Sequence, residues 1–310
     1  MDAKAKKFID PLITNDGKER AYVDLKELKT LWFNSGTRCN LHCQNCYIES
    51  SPTNDRLAYI TDSEVVPFLE EIKTEKYPVE LIGVTGGEPF LNPHMIPIII
   101  ETLKRDLEIL VLTNAVNVIN RYKEKLIEIK NTYGDKLHLR ISLDHHTKEF
   151  HEKERGENTF DKTIENIKWF TQEGFNISIA GRSLTDENLE QATRSYEELL
   201  KKSDIKIDLE NGKLVVFPEM DMNRDVPEIT TECWGILNKT PEQQMCSTER
   251  MIVKRKEDEK PTVLPCTLLA YDHQFDLGET LKDSKERVQL NHKFCAQFCV
   301  LGGASCSSAK

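Results

Sequence analysis

The sequence predicts a parallel α/β domain followed by a small cysteine-rich region, and three observations lead to this prediction. Between residues 28 and 219, short apolar segments rich in Val, Ile or Leu alternate with helical segments, as expected for strands buried on both faces of a parallel sheet. Polar residues follow each apolar segment directly. Between residues 220 and 310 the alternation stops, and six of the nine cysteines lie there. Residues 1–27 are charged and weakly patterned, and we expect them to form an N-terminal extension packed on the outside.

The elements follow in chain order. The six predicted strands are 28–33, 80–85, 108–112, 137–143, 176–180 and 214–217. The predicted helices begin at Thr61, which opens a capping-type start with Glu64, and continue near 94–105, 118–132, 159–173 and 186–201. Six such units imply right-handed crossovers but are too few to close an eight-stranded barrel. In the C-terminal region we expect a hairpin of strands 249–254 and 262–264 and a helix near 284–290.

Composition excludes several classes of function. The chain has 310 residues and a formal net charge of −10, which disfavours nucleic acid or an anionic membrane as its main partner. No apolar run approaches the roughly 18 residues that cross a bilayer, and the polar N-terminus carries no signal-like apolar core. We therefore expect a cytoplasmic protein, whose nine cysteines are metal ligands rather than disulfides.

Polar groups follow all six predicted strands. Because the carboxyl ends of parallel strands meet at one edge, we expect these groups to face a common mouth. In chain order they are a cysteine loop, residues 86–89, Thr113 with Asn114, Ser142 with Asp144, Arg182 with its neighbours, and residues 218–221.

The cysteine loop holds Cys39, Cys43 and Cys46 at C-x3-C-x2-C spacing. Three thiolates can hold three irons of a cubane cluster and leave the fourth iron open to a ligand. Taken alone, the three cysteines are also compatible with part of a zinc site or with unrelated thiols. Gly86-Gly87-Glu88-Pro89 follows the next strand. The two motifs in this order resemble the radical S-adenosylmethionine (radical SAM) enzymes, over roughly residues 28–218.

This resemblance implies a partial (β/α)6 TIM-like barrel. It also implies a [4Fe-4S] cluster on the three cysteines, with S-adenosylmethionine chelating the open iron and yielding a 5′-deoxyadenosyl radical that abstracts hydrogen from a substrate. The positions expected to bind S-adenosylmethionine are Gly86, Gly87, Glu88, Pro89, Asn45, Tyr47, Thr113, Asn114, Ser142 and Arg182. Asn45 departs from the family, which often has an aromatic residue immediately before the third cysteine.

The C-terminal cysteines resemble the SPASM and twitch extensions, which hold auxiliary iron–sulfur clusters. Six cysteines are fewer than the eight that two fully ligated cubanes need. We expect one auxiliary [4Fe-4S] cluster, and a structural zinc site is the alternative. The predicted ligands of the auxiliary cluster are Cys246, Cys266, Cys295 and Cys299, with Cys306 in reserve and Cys233 spare.

His145 and His146 suggest an acid–base role. Neighbouring residues on a strand point in opposite directions, so one of the two rings is expected to face the mouth and to act as a proton acceptor. We interpret residues 151–154 as a solvated loop or helix face.

The sequence therefore predicts a radical SAM oxidoreductase acting on a small molecule or a peptide, with a reducing partner such as flavodoxin or ferredoxin. The absence of room for a peptide-recognition domain before residue 28 favours a small molecule. Two other classes remain open. One is a non-catalytic iron–sulfur electron carrier or redox sensor, and the other is a zinc-organised binding module.

Overall fold

The computed structural model describes residues 6–210 and 212–306. The strands in this part of the chain are β1 (Tyr22–Val23), β2 (Thr30–Asn34), β3 (Leu81–Thr85), β4 (Glu108–Thr113), β5 (Leu137–Ser142), β6 (Asn176–Arg182), β7 (Leu214–Phe217), β8 (Glu249–Val253), β9 (Thr262–Leu264) and β10 (Val288–Gln289). The α-helices are α1 (Asp62–Thr74), α2 (Met95–Leu103), α3 (Lys123–Tyr133), α4 (Lys148–Arg155), α5 (Phe160–Gln172), α6 (Leu189–Lys202) and α7 (Cys233–Leu237). A π-helix spans Cys295–Leu301.

Eight strands form one sheet in the order β7-β6-β5-β4-β3-β2-β8-β9. Strands β2 to β7 are parallel and consecutive, as predicted. Strand β8 adds to β2 in parallel, and β9 returns antiparallel along β8. Within the described residues β7 and β9 are the two open edges, so the sheet is the partial barrel that the family resemblance implies.

Strand β2 is the centre of this sheet, and all five of its residues are buried. The Trp32 side chain lies against Gly83 of β3, where an added Cβ would collide with the indole ring. The indole Nε1 donates a hydrogen bond of 2.7 Å to a carboxylate oxygen of Glu249 on β8. These contacts fix β2 between its two neighbours and place the loop after it at the mouth of the barrel.

Helix α1 begins as the sequence predicts. Thr61 is its N-cap, and the Thr61 side chain and the Glu64 side chain satisfy one another's backbone N–H groups in a capping box. The buried residues Val65, Phe68, Leu69 and Ile72 recur at helical spacing and face the sheet. Pro67 lies within the helix, in its first two turns.

The structure corrects the expectation for the N-terminal extension. Arg20, Ala21 and Val23 are buried, and β1 pairs with β10 of the cysteine-rich region. Arg20 also forms an ion pair of 2.6 Å with Glu228. Residues 20–23 are therefore part of the C-terminal core rather than an outer layer.

Two further expectations for the C-terminal region have different outcomes. The hairpin is confirmed as β8 and β9, but it extends the barrel sheet, so the boundary predicted at residues 219 and 220 does not separate two sheets. The helix predicted near 284–290 is wrong. Val288 and Leu290 are buried while Gln289 is half-buried, which is the two-residue alternation of a strand, and Val288 pairs with Val23.

Across the described ranges, every helix is too short or too polar to cross a bilayer.

Candidate active site

A cavity opens at the carboxyl ends of β2 to β7. It encloses about 1160 Å³, including its open mouth. The loops after these strands form one side of it, and Thr267, Leu268, Phe298 and Cys306 of the cysteine-rich region form another. The polar groups predicted to share a mouth therefore do converge, and the C-terminal region completes the wall.

The cysteine loop contributes Cys39, Cys43 and Cys46 to this wall. Backbone N–H groups point at two of the sulfurs: Leu41 N lies 3.4 Å from Cys39 Sγ and Ser50 N lies 3.3 Å from Cys46 Sγ. Burial raises the pKa of Cys39 to about 12 and raises that of Cys43. Thiols in such surroundings stay protonated until a metal cation binds them and displaces the protons. N–H donors then stabilise the thiolates. This donor set fits an iron–sulfur cluster.

The sulfurs can be compared with the spacing in a mononuclear zinc site. A zinc ion with thiolates at about 2.3 Å holds its sulfurs about 3.8 Å apart. Among the described residues, no three cysteine sulfurs lie within 4.8 Å of one another.

Gly86 and Gly87 allow the β3 loop to touch the cysteine loop. Gly86 has φ +138°, and a Cβ there would lie 2.6 Å from the Gly36 carbonyl oxygen. A Cβ on Gly87 would collide with the Arg38 carbonyl. Instead, Gly87 N donates to Gly36 O at 2.8 Å. Both glycines line the cavity and hold the cysteine loop against β3.

Glu88 lies behind the cavity wall, 1% exposed, and neither it nor Pro89 is a lining residue. The Glu88 carboxylate accepts hydrogen bonds from Thr113 Oγ1 at 2.9 Å, Asn114 N at 2.9 Å and Phe90 N at 3.1 Å. Burial raises the pKa of Glu88 to about 7 despite these donors. In this structure Glu88 ties the β3 loop to the end of β4, a role the sequence did not suggest.

The other predicted cofactor-binding residues are at the cavity. Asn45, Tyr47, Thr113, Asn114, Ser142 and Arg182 all line the cavity. Asn114 Nδ2 also lies 3.7 Å from Cys39 Sγ. Burial raises the pKa of Tyr47, which keeps its hydroxyl protonated.

Arg182 is held by two carboxylates. Its Nη1 lies 2.9 Å from Glu154 and its Nη2 lies 2.7 Å from Glu219. Glu154 also accepts a hydrogen bond of 2.9 Å from Asn45 of the cysteine loop. Glu154 thus joins α4, β6 and the cysteine loop.

The sequence interpretation of residues 151–154 is wrong at its two ends, since His151 and Glu154 are buried. They belong to α4, which lies over the cysteine loop. Arg155, at the end of α4, makes a bidentate ion pair with Asp144, with distances of 2.7 and 2.9 Å. Both residues line the cavity, and the charge of Arg155 opposes the burial that raises the pKa of Cys43.

The two histidines after Asp144 do not behave as predicted. The chain leaves β5 at Ser142, so the strand alternation no longer applies, and the rings of His145 and His146 stack with centroids 4.0 Å apart. Both direct Nε2 toward Glu187, and neither lines the cavity. Thr147 N donates to Nδ1 of His145 at 3.0 Å, so the proton of the neutral ring is on Nε2.

The C-terminal cysteines separate into two sets. Cys246, Cys266, Cys295 and Cys299 line a second cavity of about 370 Å³, and Leu268 lies between it and the main cavity, lining both. Burial raises the pKa of all four thiols, to about 12 for Cys246 and Cys295. Cys306 lines the main cavity instead, with its sulfur 3.1 Å from the Thr267 hydroxyl. Cys233 lines neither cavity.

Comparison with known families gives the identity of the barrel. The family model of the radical SAM superfamily matches residues 33–197, more than half of the chain. The chain belongs to the radical SAM superfamily. Its cofactors are accordingly a [4Fe-4S] cluster and S-adenosylmethionine.

Relatives of this radical SAM chain differ in how much they share with it. The subtilosin biosynthesis protein AlbA of Bacillus subtilis is 29% identical over 153 residues, which are 49% of this chain and 32% of AlbA. Streptococcus suis SuiB bound to the precursor peptide SuiA aligns with a TM-score of 0.59 at 15% identity, over 85% of this chain and 66% of SuiB. The protein anSMEcpe with bound AdoMet aligns with a TM-score of 0.60 at 17% identity, over 86% and 82%. The two structures show a shared fold, and the chain spans less than two thirds of AlbA and of SuiB.

Proposed function

We propose that this radical SAM chain is an oxidoreductase that removes a hydrogen atom from a peptide substrate and transfers the remaining electron to an auxiliary [4Fe-4S] cluster. The observation that carries the proposal is the position of the main cavity. Its wall includes the three cysteines of the first cluster, and it shares the lining residue Leu268 with the cavity lined by the four C-terminal cysteines. A substrate in this cavity would therefore contact the first cysteine set and lie beside the second.

The chemistry of each group follows from its ligands. When bound, the first cluster and S-adenosylmethionine supply a 5′-deoxyadenosyl radical, and the auxiliary cluster supplies an acceptor for one electron. Loss of a hydrogen atom, then of one electron and one proton, is a two-electron oxidation of the substrate. Cys39, Cys43 and Cys46 would hold the first cluster, and Cys246, Cys266, Cys295 and Cys299 the second.

The residues of the barrel orient and shield the reactants. The Gly86 and Gly87 backbone lets a ligand approach β3 closely, and Thr113, Asn114 and Ser142 offer hydrogen bonds along the same edge. Arg182 is the candidate partner of the S-adenosylmethionine carboxylate, because a guanidinium binds two oxygens at once. To do so it must share or exchange Glu219, whose side chain is 35% exposed and lies beside the mouth.

A peptide is favoured over a small molecule by the comparisons, since one matching structure is a complex with a precursor peptide and AlbA is named for the biosynthesis of a bacteriocin. The cavity wall supports an apolar side chain in the site. Its aromatic residues include Trp32, Tyr47, Phe217 and Phe298. The electron that reduces the first cluster would come from a separate carrier such as flavodoxin or ferredoxin.

The test is formation of 5′-deoxyadenosine by the anaerobically reconstituted protein with S-adenosylmethionine and dithionite. The wild type is expected to form the nucleoside, and a variant with Cys39, Cys43 and Cys46 changed to Ala is expected to form none. Cys233→Ala is the matched control and should keep the activity, because Cys233 lies outside both cavities. A fully iron-loaded wild type that forms no nucleoside would refute the proposal.

The substrate class has its own test. A peptide digest of uniformly deuterated protein should transfer deuterium into 5′-deoxyadenosine. A peptide-free small-molecule extract of the deuterated cells that supplied this protein should not transfer deuterium. Transfer from the extract alone would replace the peptide by a small molecule.

A further inference from the structure

Arg250 on β8 is a fully buried arginine with no carboxylate partner in the part of the chain that the structure describes. Its exposed fraction is 0%. Its Nε donates to the Ser284 carbonyl at 2.9 Å, and its Nη1 donates to the carbonyls of Cys246 at 2.7 Å and Glu249 at 2.8 Å. Its Nη2 is buried without a hydrogen-bond partner among the described residues. Within residues 6–210 and 212–306, the hydrogen bonds of the guanidinium thus go to neutral carbonyl groups.

Two other buried arginines are paired with carboxylates. Arg20 meets Glu228 at 2.6 Å, and Arg255, five residues after Arg250, meets Asp276 at 2.6 Å. A buried charge without a counter-ion is strongly destabilising, because it loses its hydration without gaining an opposite charge. Arg250 therefore points to a negative charge that the described carboxylates do not supply.

Two thiols of the second cavity act on the charge of Arg250. Arg250 bonds directly to the carbonyl of Cys246, and the thiols of Cys246 and Cys266 are the acidic groups that act on its charge. A guanidinium keeps its charge in proteins at neutral pH. Four thiolates and a cubane carry net negative charge, which increases on reduction.

We infer that Arg250 is the counter-ion of the auxiliary cluster and raises its reduction potential. The inference rests on the proposed function in that it requires an auxiliary cluster on the four C-terminal cysteines. A fixed positive charge beside a cluster stabilises the more negative reduced state, and hydrogen bonds from the surrounding protein act in the same direction. Arg250 thus acts on the reaction through the auxiliary cluster, which it makes a better electron acceptor.

The experiment measures the midpoint potential of the auxiliary cluster alone. The full chain carrying Cys39→Ala, Cys43→Ala and Cys46→Ala serves as the parent, and the cluster is reduced stepwise while its EPR signal is followed. Arg250→Met is added to this parent, as are Arg250→Lys and the control Arg255→Met. Arg255 is also buried, but its removal takes away a partner of Asp276 rather than of the cysteines.

The expected result is a more negative potential in Arg250→Met, a smaller shift in Arg250→Lys, which keeps the charge, and none in Arg255→Met. If Arg250→Met does not assemble the cluster, Arg250→Gln is used in its place. Arg250→Gln is then expected to lose iron to a chelator faster than Arg250→Lys does. Equal potentials in the parent and Arg250→Met, or equal shifts in Arg250→Met and Arg255→Met, would overturn the inference while leaving the cluster in place. A parent that binds no iron would instead overturn the auxiliary cluster itself.

Discussion

Arg155 and Asp144 form a bidentate ion pair at the mouth of the barrel, with Nε 2.7 Å from Oδ2 and Nη2 2.9 Å from Oδ1. Asp144 follows β5 and Arg155 ends α4, so the pair holds the helix over the cysteine loop. The Asp144 side chain is 3% exposed and the Arg155 side chain is 14% exposed.

We expect Asp144→Asn to destabilise the protein by about 3 kcal/mol, because removing one partner leaves a buried charge unpaired. Affinity for S-adenosylmethionine should fall with it, since α4 borders the cavity. Urea unfolding and equilibrium binding measure the two effects. Asp106→Asn breaks an exposed pair with Lys136 and is the control, with no change expected. Equal stability of Asp144→Asn and wild type would contradict the structural role of the pair.

Glu88 predicts a specific pH dependence of stability. Its pKa in the folded protein is raised by burial to about 7, above its ordinary value of 4.5. The folded state therefore holds this proton more tightly, so the stabilisation is fully present below pH 4.5 and is lost as the pH rises through 7. From pH 4.5 to 8, the free energy of unfolding of wild type should fall by roughly 3 kcal/mol relative to Glu88→Gln.

Denaturant unfolding of both proteins across this range provides the measurement. Glu101→Gln is the control, because the pKa of Glu101 is lowered by its hydrogen bond to Arg105 and its contribution has the opposite sign. A constant difference between wild type and Glu88→Gln at every pH would show that Glu88 does not titrate as described.

Gly87→Ala should disrupt the contact between the two cofactor loops. The new Cβ would collide with the Arg38 carbonyl, so the backbone of one loop must move. We expect loss of iron from the first cluster, measured by iron analysis. We also expect S-adenosylmethionine to bind at least tenfold more weakly by calorimetry, a loss of about 1.4 kcal/mol of binding free energy. Gly235→Ala places a Cβ in open space and should change neither quantity. Normal iron content and affinity in Gly87→Ala would disprove the close-contact argument.

The fourth ligand of the auxiliary cluster is expected to be Cys299 and not Cys306. Cys299 lines the second cavity with three other cysteines, whereas Cys306 lines the main cavity. Cys299→Ser should therefore lose most of the auxiliary iron, and Cys306→Ser should retain it. Mössbauer spectra of ⁵⁷Fe-loaded variants distinguish the two clusters. The reverse pattern would exchange the roles of the two residues.

The sequence predicted the parts of the site that lie in short motifs after strands. The cysteine loop and Gly86-Gly87 could be placed together because parallel strands end at one edge. Leu268 and Cys306 reach the same cavity from the C-terminal region, and no motif marks that return.

The charged groups of the site were the harder part. Helix α4 is so rich in Lys and Glu that it resembles a solvated surface, and only its position over the cysteine loop buries Glu154 and His151. The partners of Arg182, Glu154 and Glu219, come from separate elements. Likewise, the parallel pairing of β8 with β2 joins residues more than 200 positions apart. Long-range pairing of this kind leaves no local pattern in the sequence.

The central claim is that the chain carries two [4Fe-4S] clusters on two separate cysteine sets. Anaerobic iron and sulfide analysis of wild type, of the Cys39/Cys43/Cys46→Ala variant and of a Cys246/Cys266/Cys295/Cys299→Ala variant tests it most directly. We expect about eight irons per chain in wild type and about four in each variant, with 5′-deoxyadenosine formed only where the first set is intact. Four irons in wild type, all lost with the first set, would contradict the auxiliary cluster, and zinc in place of iron at both sets would contradict the account as a whole.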